Sequence, residues 1–143
     1  MVNSRTKGHA FERMIVNKIN SWLDSQDLHF ERVKRNLDQV TFKGQADIYF
    51  RNFAIECKRY KTAPQGIYKQ EWWKQVCYAA NDEYIPVLVY KFDRRPIQVV
   101  LPLFLFDEES KPDWNQIYLT SLEDLHDRSE IILRRAKQFG LKQ

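Results

Sequence analysis

Glycine is scarce in this chain, four among 143 residues. That leaves little room for a glycine-rich loop able to cradle phosphates, and no such motif is present. Cysteine is scarcer still. Cys57 and Cys77 are too few for a disulfide framework, which favours a reducing compartment. The histidines His9, His29 and His126 are too scattered for a zinc site or an H-N-H type nuclease. Serine, histidine and aspartate occur in no order that suggests a hydrolase triad. No apolar run approaches the roughly 20 residues a membrane span needs, and no N-terminal apolar segment resembles a signal peptide. The expectation is a cytoplasmic protein with no membrane partner.

What is present is core-forming material. Hydrophobic residues make up 43% of the chain and aromatics 14%, which supports a packed globular protein and argues against disorder. Residues 1–143 are expected to form a single domain. The net charge is +4 and the sequence pI about 9.1, a mild hint of a polyanionic partner. The distribution of charge says more. Arg5, Lys7, His9 and Arg13 lie near the N-terminus, and Lys58, Arg59 and Lys61 follow one another closely.

Hydrophobic periodicity predicts an amphipathic helix from about Gly8 to Ser25, with Phe11, Ile15, Ile19, Trp22 and Leu23 on one stripe. A strand is expected over His29 to Arg35, then a polar turn through Asn36 to Gly44, then a hairpin. Pro64 and Gly66 break the chain before a helix ending near Asn81. Ile85 to Phe92 and Ile97 to Leu101 read as strands around a turn at Asp93 to Pro96. Asp107 to Asp113 reads as an exposed loop. Ser121 with Asp124 resembles a capping box that starts a last helix, running to about Phe139 and ended by Gly140. The order α-β-β-β-α-β-β-α implies an α/β fold with a central mixed sheet flanked by helices.

The hairpin carries the chemistry. Gln45 to Lys58 reads Q-A-D-I-Y-F-R-N-F-A-I-E-C-K, with Arg51-Asn52 as a two-residue loop. Pairing Phe50 with Phe53 sets Ile48 against Ile55, Ala46 against Cys57 and Asp47 against Glu56. Ala46, Ile48, Phe50, Phe53, Ile55 and Cys57 then share one apolar face. Gln45, Asp47, Tyr49, Ala54, Glu56 and Lys58 share the other. Opposed carboxylates about 5 Å apart are destabilising. At an effective dielectric of about 20 they repel by roughly 3 kcal/mol. A hard divalent cation with oxygen ligands would relieve this, and Lys58 lies further along the same face.

An E-x-K pair alone is a weak signal, because Glu and Lys alternate on many solvated sheet faces. Two further positions add to it. Glu12 precedes Ile15, Val16 and Ile19 by helical spacings, so it lies in line with the buried stripe; a solvated first-turn glutamate is the plainer alternative. Gln75 interrupts the stripe Tyr68, Trp72, Gln75, Ala79, either as a satisfied core amide or as a site residue. Trp72 and Trp73 could stack on unpaired bases, with core packing expected for at least one.

Lys7-Gly8-His9-Ala10-Phe11-Glu12-Arg13 resembles the K-G-x-x-x-E-R opening of archaeal and phage Holliday junction resolvases, within the PD-(D/E)xK nuclease superfamily. Asp47 followed by Glu56-Cys57-Lys58 matches that superfamily's core in the expected order. Ala46 departs from the proline often found there, a position that only shapes the strand. The resemblance covers roughly the first 100 residues. It implies a restriction-endonuclease-like α-β-β-β-α-β core, with Glu12, Asp47 and Glu56 as acidic metal-binding residues and Lys58 as the catalytic lysine. Trp72 to Gln75 resembles a W-x-x-Q segment that related phage nucleases place beside the metal site.

The function this implies is a Mg²⁺-dependent endodeoxyribonuclease, with Mn²⁺ able to substitute, resolving four-way or branched DNA in the cytoplasm, that of the host if phage-encoded. Asp47, Glu56 and the Cys57 backbone carbonyl would hold the metal, with Glu12 binding or tuning a second. Arg5, Lys7, Arg13, Arg59 and Lys61 would contact DNA. The alternatives are a nuclease of the same fold acting on duplex, nicked or single-stranded DNA, and a DNA-binding accessory protein without activity. Symmetric nicking suggests a homodimer. Val99 to Phe106, V-V-L-P-L-F-L-F, would either supply its apolar surface or form a buried strand under the last helix.

Overall fold

The computed structural model describes residues 4–28, 30–37, 44–62 and 68–141, of which 4–6 and 141 are described by backbone alone. Helix α1 spans Ser4–Ser25 and starts ahead of the expected Gly8. Phe11, Ile15, Val16 and Leu23 are buried on its inner stripe, with Ile19 and Trp22 half-buried beside them. Its end is set by Asp27, which adopts a left-handed φ of 57°. The N–H of Leu28 then reaches the Leu23 carbonyl at 2.9 Å and that of Asp27 the Asp24 carbonyl at 3.2 Å, closing the helix in a Schellman arrangement.

Strands β1 (Ile48–Phe50) and β2 (Phe53–Tyr60) form the expected hairpin, in the expected register: Ile48 with Ile55, Tyr49 with Ala54, Phe50 with Phe53. The turn requires a φ of 53° at Arg51, costly for a side chain of this size. A two-pronged ion pair with Glu31, at 2.8 and 2.9 Å, holds it there. Helix α2 (Gln70–Ala80) then carries the chain across to β3 (Ile85–Phe92), parallel to β2. Strands β4 (Gln98–Pro102) and β5 (Ile117–Ser121) extend the sheet antiparallel, in the order β1-β2-β3-β4-β5. Helices α3 (Leu122–Asp127) and α4 (Ser129–Leu141) complete the chain.

Alternation along the strands sorts their side chains onto two covered faces. Phe53, Ile55, Cys57, Val87 and Val89 join the cluster with α1 and Ile132 and Ala136 of α4. Leu88, Tyr90 and Phe92 pack instead on Trp72, Trp73 and Val76 of α2. Both tryptophans are therefore core residues, and Trp73 Nε1 also donates to the Trp114 carbonyl at 2.8 Å. Val99, Val100, Leu101, Pro102, Phe104 and Leu105 are buried inside the chain and Leu103 and Phe106 half-buried, so most of the V-V-L-P-L-F-L-F run packs into this chain's own core rather than standing open as a dimer surface.

Several expectations are corrected. No strand forms over the described residues of His29 to Arg35, where the one ladder contact is a bridge between Arg35 and Ile48; His29 itself lies outside the described residues. The side-chain amide of Asn20 takes the strand partner's role, accepting from the Val33 N–H at 2.9 Å and donating to the Val33 carbonyl at 3.1 Å. Ile117–Ser121, unassigned in the sequence, is the fifth strand. The last helix is divided at Arg128, and Gly140 lies inside α4 rather than ending it. Ser121 does cap α3, its Oγ accepting from the Asp124 N–H at 3.1 Å. Ala46 packs with Ala54 and Ala80 on the α2 side, not with the face of Ile48 and Phe50, because the chain turns away from the ladder before β1 begins. Pro64 and Gly66, and most of the turn from Asn36 to Gly44, lie outside the described residues.

Candidate active site

Three acids are buried among the described residues: Glu12, Asp47 and Glu56, at 6%, 8% and 3% exposure. Burial of this degree is rare for an acid without a partner of opposite charge. Each comes from a different element. Glu12 lies on the inner side of α1, which removes the solvated first-turn alternative. Asp47 stands just before β1, and Glu56 is in the middle of β2.

The geometry is specific. Asp47 Oδ2 accepts the backbone N–H of Cys57 at 2.7 Å. A strand residue directs its N–H and carbonyl to the same edge, so the Cys57 carbonyl faces the Asp47 side rather than β3. Glu56 Oε1 lies 3.4 Å from Gln75 Nε2, while Glu56 Oε2 is buried with no hydrogen-bond partner among the described residues. Gln75 is exposed on α2, so it is a site neighbour and not a core amide. Lys58 is half-buried two residues beyond Glu56 on the same face, and its charge acts on that carboxyl.

The proton affinities follow. Burial pushes Glu56 up to about 9, with the adjacent Asp47 adding to the rise through charge and a shared proton; Lys58 opposes it. Glu12 is pushed up to about 7, first by burial, then by Asp47, against the pull of Arg35. Protonated Glu56 can offer its hydrogen to Asp47, whereas ionised Glu56 leaves Oε2 without a donor.

Sequence reasoning missed Arg35. Its Nη2 lies 3.1 Å from Glu12 Oε2, and its buried Nε has no partner among the described residues. The only sequence signal was a charged residue at the end of an apolar-alternating stretch, which is common on solvated strands.

The basic set is brought together in part. Lys7 Nζ and Arg59 Nη2 both reach Asp93 Oδ1, at 2.9 and 2.5 Å, and this pair holds the Asp93 carboxyl below its ordinary range. Lys61 and Arg13 are exposed. Arg13 borders a groove between α1 and α3. The Arg5 side chain lies outside the described residues.

Among the described residues, no three His, Cys, Asp or Glu side chains form a preformed metal cage. The donors present nonetheless fit Mg²⁺, which takes one or two carboxylates and keeps several waters. Asp47, Glu56 with its unsatisfied oxygen, and the Cys57 carbonyl are such a set.

Residues 3–139 match the phage PDDEXK endonuclease family. The chain belongs to that family. Its mixed five-stranded sheet flanked by helices is the restriction-endonuclease-like α/β fold. The endonuclease is similar in structure to the Holliday junction resolvase Hjc of Archaeoglobus fulgidus. The two share 14% identity, with 88% of this chain and 98% of that chain covered, at a TM-score of 0.48. No curated protein matches the sequence. No helix among the described residues is long and apolar enough to cross a membrane.

Proposed function

We propose that this endonuclease is a metal-dependent resolvase of four-way or branched DNA, working as a homodimer in the host cytoplasm. The carrying observation is the Oε2 of Glu56, buried beside Asp47 with no hydrogen-bond partner among the described residues. Two close, buried carboxyls favour a divalent cation over coexistence of two bare charges.

Asp47, Glu56 and the Cys57 carbonyl would hold Mg²⁺, or Mn²⁺ in its place. A cation bound there supplies positive charge to the scissile phosphate and acidifies water. The chain's own groups do the rest. Lys58 orients the attacking water and neutralises charge that builds on the phosphate oxygens. Gln75 steadies the Glu56 carboxylate, and the Cys57 N–H steadies Asp47. Glu12, tied to Arg35, sets the local field and contributes a ligand if a second metal binds. Lys7, Arg13, Arg59, Lys61 and Arg5 contact the backbone, fixing register without reading sequence. Each chain carries one such site, and resolution needs two symmetric nicks, which a two-fold dimer provides.

Cleavage of labelled four-way junctions, nicked and linear duplexes and single strands, with Mg²⁺ and with EDTA, tests this. Paired nicks on junctions only with the cation are expected. Linear duplex cut as fast as junctions would remove the branched-substrate part. Cutting in EDTA would remove the metal, and no cutting of any DNA would leave a binding protein.

A further inference from the structure

We propose that Tyr60 is a stacking platform for the base next to the scissile phosphate, and that it favours DNA in which that base is already unstacked. The substrate's identity as branched DNA rests on the function proposed above.

Tyr60 ends β2, two residues after Lys58, so both project from the same face, about 7 Å apart along the strand. Its ring lies nearly parallel to the Trp72 indole, with centroids 4.9 Å apart and planes 16° apart. Trp72 is in turn braced by Tyr90 at 6.3 Å and Phe92 at 6.0 Å, and is only 5% exposed. Tyr60 is 40% exposed. One face of its ring is therefore packed on the core, while the residue keeps part of its surface open to solvent. One neighbour in sequence, Lys61, is an exposed cation; the other, Arg59, is ion-paired with Asp93 and donates through Nη1 to the Tyr60 carbonyl at 2.7 Å.

An aromatic surface held rigid beside a phosphate-handling lysine suits a nucleobase, since every base has a stacking face and the ring pays little entropy to receive one. Trp72 and Trp73 cannot take this part because both are buried. In continuous duplex, a base must first be pulled from its stack to reach Tyr60. At a branch point the stacking is already interrupted. Tyr60 thereby separates branched from linear DNA without reading sequence.

A purely structural Tyr60 would merely cover Trp72, and leucine would serve for that. The test uses four-way junctions carrying 2-aminopurine at the nucleotide flanking the cleaved bond, bound by full-length protein with Glu56→Ala to suppress cutting. Tyr60 and Tyr60→Phe proteins should quench the probe; Tyr60→Leu should leave it bright at saturation. With Glu56 intact, Tyr60→Leu should lower kcat/KM on junctions by roughly tenfold, and lower it less on linear duplex, so that the junction-to-duplex ratio falls. Equal quenching by Tyr60→Leu at an unchanged melting temperature would overturn the proposal. If Tyr60-dependent quenching appears on single strands while junctions are neither preferred nor cut, the platform stands and the branched-DNA reading falls.

Discussion

The carboxylate of Asp47 accepts the backbone N–H of Cys57 at 2.7 Å, so the acid is tied to the residue between Glu56 and Lys58. The bond stands in for a strand-to-strand contact just before β1 begins, and it fixes the Asp47 carboxyl against β2 beside Glu56. Asp47→Asn can keep that bond through its amide oxygen while losing the charge. It should fold with a metal-free melting temperature equal to or above the parent's, yet show no cleavage. Cleavage at parental rates in Asp47→Asn would remove Asp47 from the metal set. Glu56→Ala and Lys58→Ala should also abolish cutting while DNA binding, carried mostly by phosphate contacts, stays within about tenfold in a filter-binding titration.

Stability should depend on pH through the same acids. Glu56 at about 9 and Glu12 at about 7 both lie above the ordinary 4.5, so the folded chain holds protons that the unfolded chain releases. Their contribution is fully present below about pH 4.5 and is lost as pH rises through 7 and 9. Glu31, Asp93 and Asp124 are held low by Arg51, by Lys7 with Arg59, and by Arg128, so they act only at more acidic pH. In EDTA, the melting temperature should fall from about pH 5 to about pH 9, and Glu56→Gln should flatten the fall. Mg²⁺ should stabilise most at the alkaline end. A melting temperature that rises across this range would contradict the shared-proton cluster.

Glu12 and Arg35 form a unit, at 3.1 Å. Glu12→Ala strips Arg35 of a buried partner as well as removing a carboxyl, so it should slow cleavage, less completely than Glu56→Ala, and lower the melting temperature. Single-turnover rates with melting curves separate the two effects. A parental rate would reduce Glu12 to a structural role.

DNA binding should weaken steeply with salt. Lys7→Ala should reduce the slope of log affinity against log salt by about one if Lys7 leaves Asp93 for a phosphate. Lys61, exposed, should behave likewise. An unchanged slope in Lys7→Ala would mean that its ion pair with Asp93 is kept on DNA, limiting Lys7 to positioning the β3–β4 turn.

Light scattering at micromolar concentration should give about twice the chain mass of 17.3 kDa. A monomer that makes paired nicks in one binding event would refute the dimer. Alanine at Val99, Val100, Leu101, Phe104 or Leu105 should unfold the chain rather than dissociate it, because those residues are core.

The sequence by itself determined the hairpin and its register, because a two-residue turn and a period of two leave no freedom over Phe50 to Ile55. It also placed Asp47 near Glu56 and Lys58, since that proximity is local. Helix α1, α2 and β3 were legible from long periodic runs. Tertiary structure decided what depends on contacts distant in sequence. Val33 bonds to Asn20 instead of a strand, and β5 forms only because β4 offers it a ladder. Arg35 joins Glu12 across 23 residues, and Gln75 reaches Glu56 across 19. Periodicity reports which way a side chain faces along its own element. What it meets there is fixed by packing, so Trp72 and Trp73 went to the core and the partly exposed ring at the end of β2 belongs to Tyr60.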